Sequence, residues 1–88
     1  MKISTKGRYA LRILADIAEH GVEKNVPIRE IAERQGFSDK YLEGIVSRLS
    51  SAGLVKSGRG KYGGYRLVKS PSEYNVYEIL YAAEDSIA

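Results

Sequence analysis

The chain has 88 residues, no cysteine and a formal net charge of +3. That length supports one small domain with a thin core, since a chain of this size buries only about 60–65% of its unfolded surface. Without cysteine there are no disulfides, no Cys-type zinc sites and no Cys-held iron–sulfur clusters within these residues, and no apolar run approaches the roughly 20 residues of a membrane span.

The first helix is predicted over about 5–20, capped by Ser4 or Thr5 and stopped by Gly21. Ala10, Ile13, Leu14 and Ile17 repeat at helical spacing and form its buried face, and Leu11, Ala15 and Ala18 add a second stripe. The basic-then-apolar start superficially matches a signal peptide. Arg12, Asp16 and Glu19 break the apolar run at helical spacing, so an amphipathic helix of a cytoplasmic protein without a membrane partner is expected instead. A second helix is predicted over about 28–35 and a third over about 39–52, separated by Gln35-Gly36-Phe37-Ser38, in which Gly36 suits a tight turn and Ser38 an N-cap. Leu42, Ile45, Val46 and Leu49 form the buried face of the third helix, and Lys40, Glu43, Gly44, Ser47, Arg48 and Ser51 form the opposite one. Two short helices across a glycine turn match helix-turn-helix geometry. A hairpin is predicted over about 54–68, from the strands 54–57 and 65–68, and a last helix over about 76–84 with Val76, Ile79, Leu80 and Ala83 inward. The fold class is mainly α with a small β-hairpin: a winged helix-turn-helix, one domain over 1–88.

Charge is unevenly spread along this frame. No acidic residue lies between Glu43 and Glu73, whereas Arg48, Lys56, Arg59, Lys61, Arg66 and Lys69 all do. Such a one-signed segment suits a polyanion. At its centre, SGRGKYGGYRL packs four glycines, three cations and two tyrosines into eleven residues. Gly58, Gly60 and Gly63 match G-x-G-x-x-G, but a dinucleotide site needs a helix after the glycines, and here a strand follows. A DNA-contacting wing fits better. Gly60, Gly63 and Gly64 remove the Cβ atoms that would hold backbone N–H groups away from phosphates, Lys61 adds charge, and Arg59 suits a narrow minor groove. On the third helix, Gly44 costs about 1 kcal/mol relative to Ala, and small residues there permit close approach to base edges. Glu43 can accept from a cytosine amino group, Lys40 can reach guanine or phosphate, and Ser38 and Ser47 can donate to phosphate, with Arg48 on the flank.

The segments MKISTKGRYALR, IREIAERQGFSDKYLEGIVSRLSSAGLVKSGRGKYGGYRL and SPSEYNVYEIL, with their joined motifs K-G-R-Y-A, Y-L-E and R-G-x-x-G-G-Y, resemble the winged-helix regulators of the IscR, NsrR and CymR family over nearly the whole chain. The resemblance implies a DNA-binding transcriptional repressor of an iron–sulfur, redox or cysteine and sulfur-metabolism regulon, acting as a homodimer on an imperfect palindrome. It implies Ser38, Lys40, Tyr41, Glu43 and Gly44 at the major groove, Arg59 in the minor groove, and Lys2, Thr5 and Tyr9 near the DNA backbone. Family members usually continue into a long dimerisation helix, and many carry three cysteines for a cluster there. The ending AEDSIA lacks a helix stop, so a piece of a longer protein is expected, whose cluster ligands would lie elsewhere; this chain is expected to hold no cofactor.

The other readings are thinner. His20, with Asp16 and Glu23 nearby, is the one grouping that spacing offers a metal, but all three suit an ordinary helix surface, His20 favouring the C-terminal dipole. Tyr77 and Tyr81 form either a dimer-side stripe or a half-buried edge. No nucleophile–His arrangement suggests an enzyme. A winged helix used for protein–protein contact is the alternative, and it calls for an acidic or apolar third-helix face that this sequence does not present.

Overall fold

The computed structural model describes residues 3–21, 24–58 and 63–84. Within them run α1 (Thr5–His20), α2 (Ile28–Gln35), α3 (Asp39–Ser51), β1 (Val55–Ser57), β2 (Tyr65–Leu67) and α4 (Val76–Glu84), with a single 3-10 turn at Pro71–Glu73 before α4. Expectations about Lys2, Glu23, Arg59, Gly60 and Lys61 lie outside the described residues.

Helices α1, α3 and α4 begin where a side chain satisfies backbone donors that no helical carbonyl can reach, whereas α2 starts after Pro27 with no side-chain cap. Ser4 accepts from the Gly7 N–H at 3.0 Å and Ser38 from the Tyr41 N–H at 3.2 Å. Asn75 accepts from the Tyr77 N–H at 2.7 Å, and Glu78 from the Asn75 N–H at 2.8 Å. Helix α2 ends at Gly36, whose φ of +76° lies in the left-handed region glycine enters without penalty. The Gly36 and Phe37 N–H groups both return to the Ala32 carbonyl, which closes the helix and aims the chain into α3. Helix α3 stops at Ser51, one residue earlier than the sequence predicts, with Ala52 as its cap.

The helices bury their apolar faces in one core, where Ile13, Ile17, Ile31, Leu42, Val46 and Leu49 are fully enclosed. Each such side chain contributes about 1.5–3 kcal/mol relative to exposure. Val76 corrects its expected core position: it stands in the first turn of α4 and is 50% exposed, leaving Ile79 and Ala83 to face inward and Leu80 half-buried. The hairpin pairs Val55 with Leu67, Lys56 with Arg66 and Ser57 with Tyr65 in antiparallel register. Its far edge is not open. Tyr65 exchanges two backbone hydrogen bonds with Val26, at 2.8 and 2.9 Å, so the segment after α1 acts as a one-residue third strand. The Tyr74 hydroxyl ties off the hairpin base, donating to the Leu54 carbonyl at 2.5 Å and accepting from the Val68 N–H at 3.0 Å.

Candidate nucleic-acid interface

The outward face of α3 is assembled by the same period that buries its core face. Lys40, Glu43, Gly44, Ser47 and Ser51 are all exposed, and Leu42, Ile45, Val46 and Leu49 behind them are buried. A Cβ added at Gly44 would meet no atom within 4 Å. The absent side chain therefore serves no packing need inside the protein. Beside this face runs a groove of about 570 Å³ between α3 and α4, lined by Gly44, Ser47, Arg48, Ser51, Tyr81 and Ala82. Arg48 is directed along it rather than straight outward: its Nη1 donates to the Ala83 carbonyl at 3.3 Å, joining α3 to the end of α4. Tyr81, 61% exposed, borders the groove, and Tyr77 is 65% exposed.

At the N-terminal end of α3, residues that the sequence treats separately come together. The rings of Tyr9 and Phe37 lie 4.5 Å apart between centroids, and Tyr41 meets both edge-on at 5.8 and 6.2 Å. Tyr9 is half-buried and Tyr41 is 37% exposed, so each has an apolar body packed in the protein. The Arg12 guanidinium sits 5.4 Å from the Tyr9 centroid and 5.0 Å from that of Phe37. Thr5 is exposed in the first turn of α1, and Ser38 spends its acceptor on the Tyr41 N–H while capping α3.

Behind this cluster α1 is fastened to α2 by a polar joint. Asp16 corrects the expectation of a helix-surface residue, for it is only 3% exposed. Its carboxylate accepts from Arg34 Nη2 at 2.7 Å, from Arg34 Nε at 3.0 Å and from Gln35 Nε2 at 2.9 Å. Burial is the largest single influence on its pKa and pushes it up. The bonds from Arg34 and Gln35, with the charges of Arg34 and His20, together outweigh burial and hold the carboxyl below its ordinary value. Arg34 is correspondingly raised, first by its bond to Asp16. Asp16 is thus satisfied by an arginine and an amide, a donor set for a carboxylate rather than a metal. Among the described residues no group of three or more His, Asp or Glu side chains is placed to hold a metal ion, and a chain with no cysteine does not fit an iron–sulfur cluster.

The hairpin divides its glycines between two jobs. A Cβ on Gly64, at φ +106°, would press into the Val26 backbone at 2.7 Å, and one on Gly58 would overlap the Asn25 amide. Both glycines let the 25–27 segment lie against the hairpin. Gly64, expected from the sequence to contact DNA, is placed in packing contact with Val26. Gly63, at φ +62°, has open space around it. On the hairpin's outer face Lys56 stands directly opposite Arg66, a like-charge pairing unfavourable in a sheet. Lys69 is held by Glu78 at 3.0 Å and lies over the Tyr74 ring. Glu78 is lowered in pKa, first by the Asn75 N–H and then by Lys69.

Comparison with known proteins adds family context to this geometry. Residues 3–88 match the model of the Rrf2 family, described as an iron-dependent transcriptional regulator. The HTH-type transcriptional regulator IscR of Photorhabdus laumondii is 47% identical over 87 residues, covering 99% of this chain and 53% of that protein. Protein rrf2 of Nitratidesulfovibrio vulgaris is 45% identical over 85 residues, covering 97% of this chain and 57% of that protein. The chain therefore spans little more than half the length of the curated relatives it matches. Among solved structures, CymR (YrzC), the global cysteine regulator of B. subtilis, aligns with a TM-score of 0.87 at 44% identity, covering 96% of this chain and 65% of that one. T. potens IscR aligns with a TM-score of 0.87 at 44% identity, covering 100% and 64%. No helix among the described residues is long and apolar enough to cross a membrane.

Proposed function

The chain belongs to the Rrf2 family of transcriptional regulators, and from that premise we propose that it is the DNA-reading part of a cytoplasmic, sequence-specific repressor. The observation that carries this is the outward face of α3. Glu43 and Ser47 stand exposed around a glycine with nothing near it, on a helix whose other side is locked into the core. An α-helix of this kind fits the major groove, where each base pair shows a distinct set of donors and acceptors. Glu43 takes a cytosine amino group, Lys40 a guanine edge or a phosphate, and the absent side chain of Gly44 lets the helix sit deep.

The remaining contacts hold the protein on the duplex. Ser38, Ser47, Thr5 and Lys2 meet phosphates, Arg48 braces α3 against the end of α4 beside them, and Tyr9 and Tyr41 flank this face in the aromatic cluster. The wing brings Arg59 to the minor groove, with Gly60, Lys61 and Gly63 beside the backbone. The like-charged pair Lys56–Arg66 is tolerated because it strengthens the positive field along this side. The full-length protein acts as a homodimer on an imperfect palindrome. Its regulon concerns iron–sulfur, redox or cysteine and sulfur metabolism, in keeping with the names of its relatives. Reading DNA needs no cofactor in these residues; a cluster, if the full-length protein carries one, draws its ligands from elsewhere.

Selection from random duplex DNA at low salt tests the reading. An enriched motif is expected, bound with an affinity that falls by about 0.9 log units per phosphate contact for each log unit of salt. Folded protein that enriches no sequence would overturn it.

A further inference from the structure

We propose that Arg12, acting through Gln35, is a positioning residue that sets the seating of α3 on DNA; the inference rests on the DNA-reading function above. Gln35 is the last residue of α2 and the hub of the joint. Its Oε1 accepts from Arg12 Nε at 3.1 Å, its backbone carbonyl accepts from Arg12 Nη2 at 3.1 Å, and its Nε2 donates to Asp16 at 2.9 Å. The last turn of α2 is thus held at both its side chain and its main chain by two residues one helical turn apart on α1. Three residues separate Gln35 from α3: Gly36 in the left-handed conformation, Phe37 and the cap Ser38. An error in where α2 ends passes through this short turn to the start of the reading helix.

Arg12 controls the other side of the turn as well. Its guanidinium lies over the rings of Phe37 and Tyr9, and both rings pack against Tyr41 in the first turn of α3. A planar fork is needed to bond an amide oxygen and a backbone carbonyl while lying over two rings, and lysine cannot supply it. One exposed side chain on α1 therefore touches both covalent neighbours of the turn's glycine and the aromatic cluster that backs α3. Its guanidinium interacts within the protein instead of pointing outward as a phosphate ligand. Asp16, itself held by Arg34, anchors the same hub from the buried side.

The test measures Kd for the enriched duplex and for random-sequence duplex, over a range of salt, with the unaltered protein and with Arg12→Ala, Arg12→Lys and Gln35→Glu. Circular dichroism sets a temperature at which each is folded. The expected result is that all three substitutions lower the specific-to-random affinity ratio by about tenfold, the discrimination carried by one good base contact, with the salt slope on random DNA unchanged. A role in stability alone would reduce binding-competent protein equally for both duplexes and leave the ratio intact. Equal losses on both duplexes with a shallower salt slope would make Arg12 a phosphate contact and overturn the proposal, as would an unchanged ratio. Should Gln35→Glu fail to fold, Arg12→Ala and Arg12→Lys, changed at an exposed position, decide the matter. Unaltered protein that prefers no sequence overturns the DNA-reading function and this inference together; a preference that survives these substitutions overturns the inference alone.

Discussion

The outward face of α3 and the joint between α1 and α2 use the same kinds of side chain in opposite ways. At the joint, Asp16, Arg34, Gln35 and Arg12 spend their hydrogen-bonding capacity on one another, and the carboxylate is nearly inaccessible. On α3, Lys40, Glu43 and Ser47 stand in water around an empty position. A group that will recognise another molecule is left without a partner inside its own. A group that fixes geometry is paired internally, because an unpaired buried charge is costly. Under the proposed function, the contrast separates residues that read from residues that aim.

The largest expected effect falls at the joint. Arg34→Ala leaves Asp16 buried with only Gln35 to satisfy it, and should destabilise the fold by about 3 kcal/mol in urea unfolding, the lower end for a broken buried pair because Arg34 is itself partly exposed. An effect below about 1 kcal/mol would show that Asp16 is better hydrated than its burial implies. Titration sharpens the same point. With the folded pKa of Asp16 lowered, its stabilising contribution is complete above the unfolded-chain value of about 4 and is lost as pH falls through the folded value. Acid unfolding curves for Asp16→Asn should therefore be flatter below about pH 4 than those of the unaltered protein.

Two glycines extend the comparison. Gly64→Ala forces a side chain into the left-handed region and onto the Val26 backbone, and should cost about 2 kcal/mol. Gly44→Ala should do the reverse, raising stability by about 1 kcal/mol at an exposed helical position while weakening binding to the enriched duplex. Gly44→Ala protein that is both more stable and equally tight would show that the gap on α3 does not face DNA. The smallest effect is expected at the hairpin. Lys56→Glu places opposite charges across the strands and should gain about 0.5 kcal/mol, at the cost of a shallower salt dependence of DNA binding.

Where helices lie, and which face of α3 looks outward, follows from local pattern: a 3.6-residue period, serine caps and a glycine turn are all written in neighbouring residues. The features that resist such reading depend on partners distant in the chain. Asp16 looks like surface because its partner, Arg34, is 18 positions away; the clue available is that Tyr9, Arg12 and Asp16 share a stripe flanking the apolar face of α1. Val26 cannot announce a strand, since one bridged residue has no period. Gly58 and Gly64 advertise flexibility in the sequence, yet what they accommodate is the Asn25 side chain and the Val26 backbone. Val76 has the spacing of a core residue, but in the first turn of α4 it is left half exposed. Arg48 reads as an outward cation until the end of α4 is brought beside it.

The account turns on α3 as the element that reads sequence, and one measurement addresses that directly: selection from random duplex DNA carried out in parallel with the unaltered protein and with Glu43→Ala. The expected result is one motif in both experiments, with base preference relaxed at one position of that motif in the Glu43→Ala selection and the salt dependence unchanged. An identical motif, equally stringent at every position, would contradict the placement of this helix face against the bases.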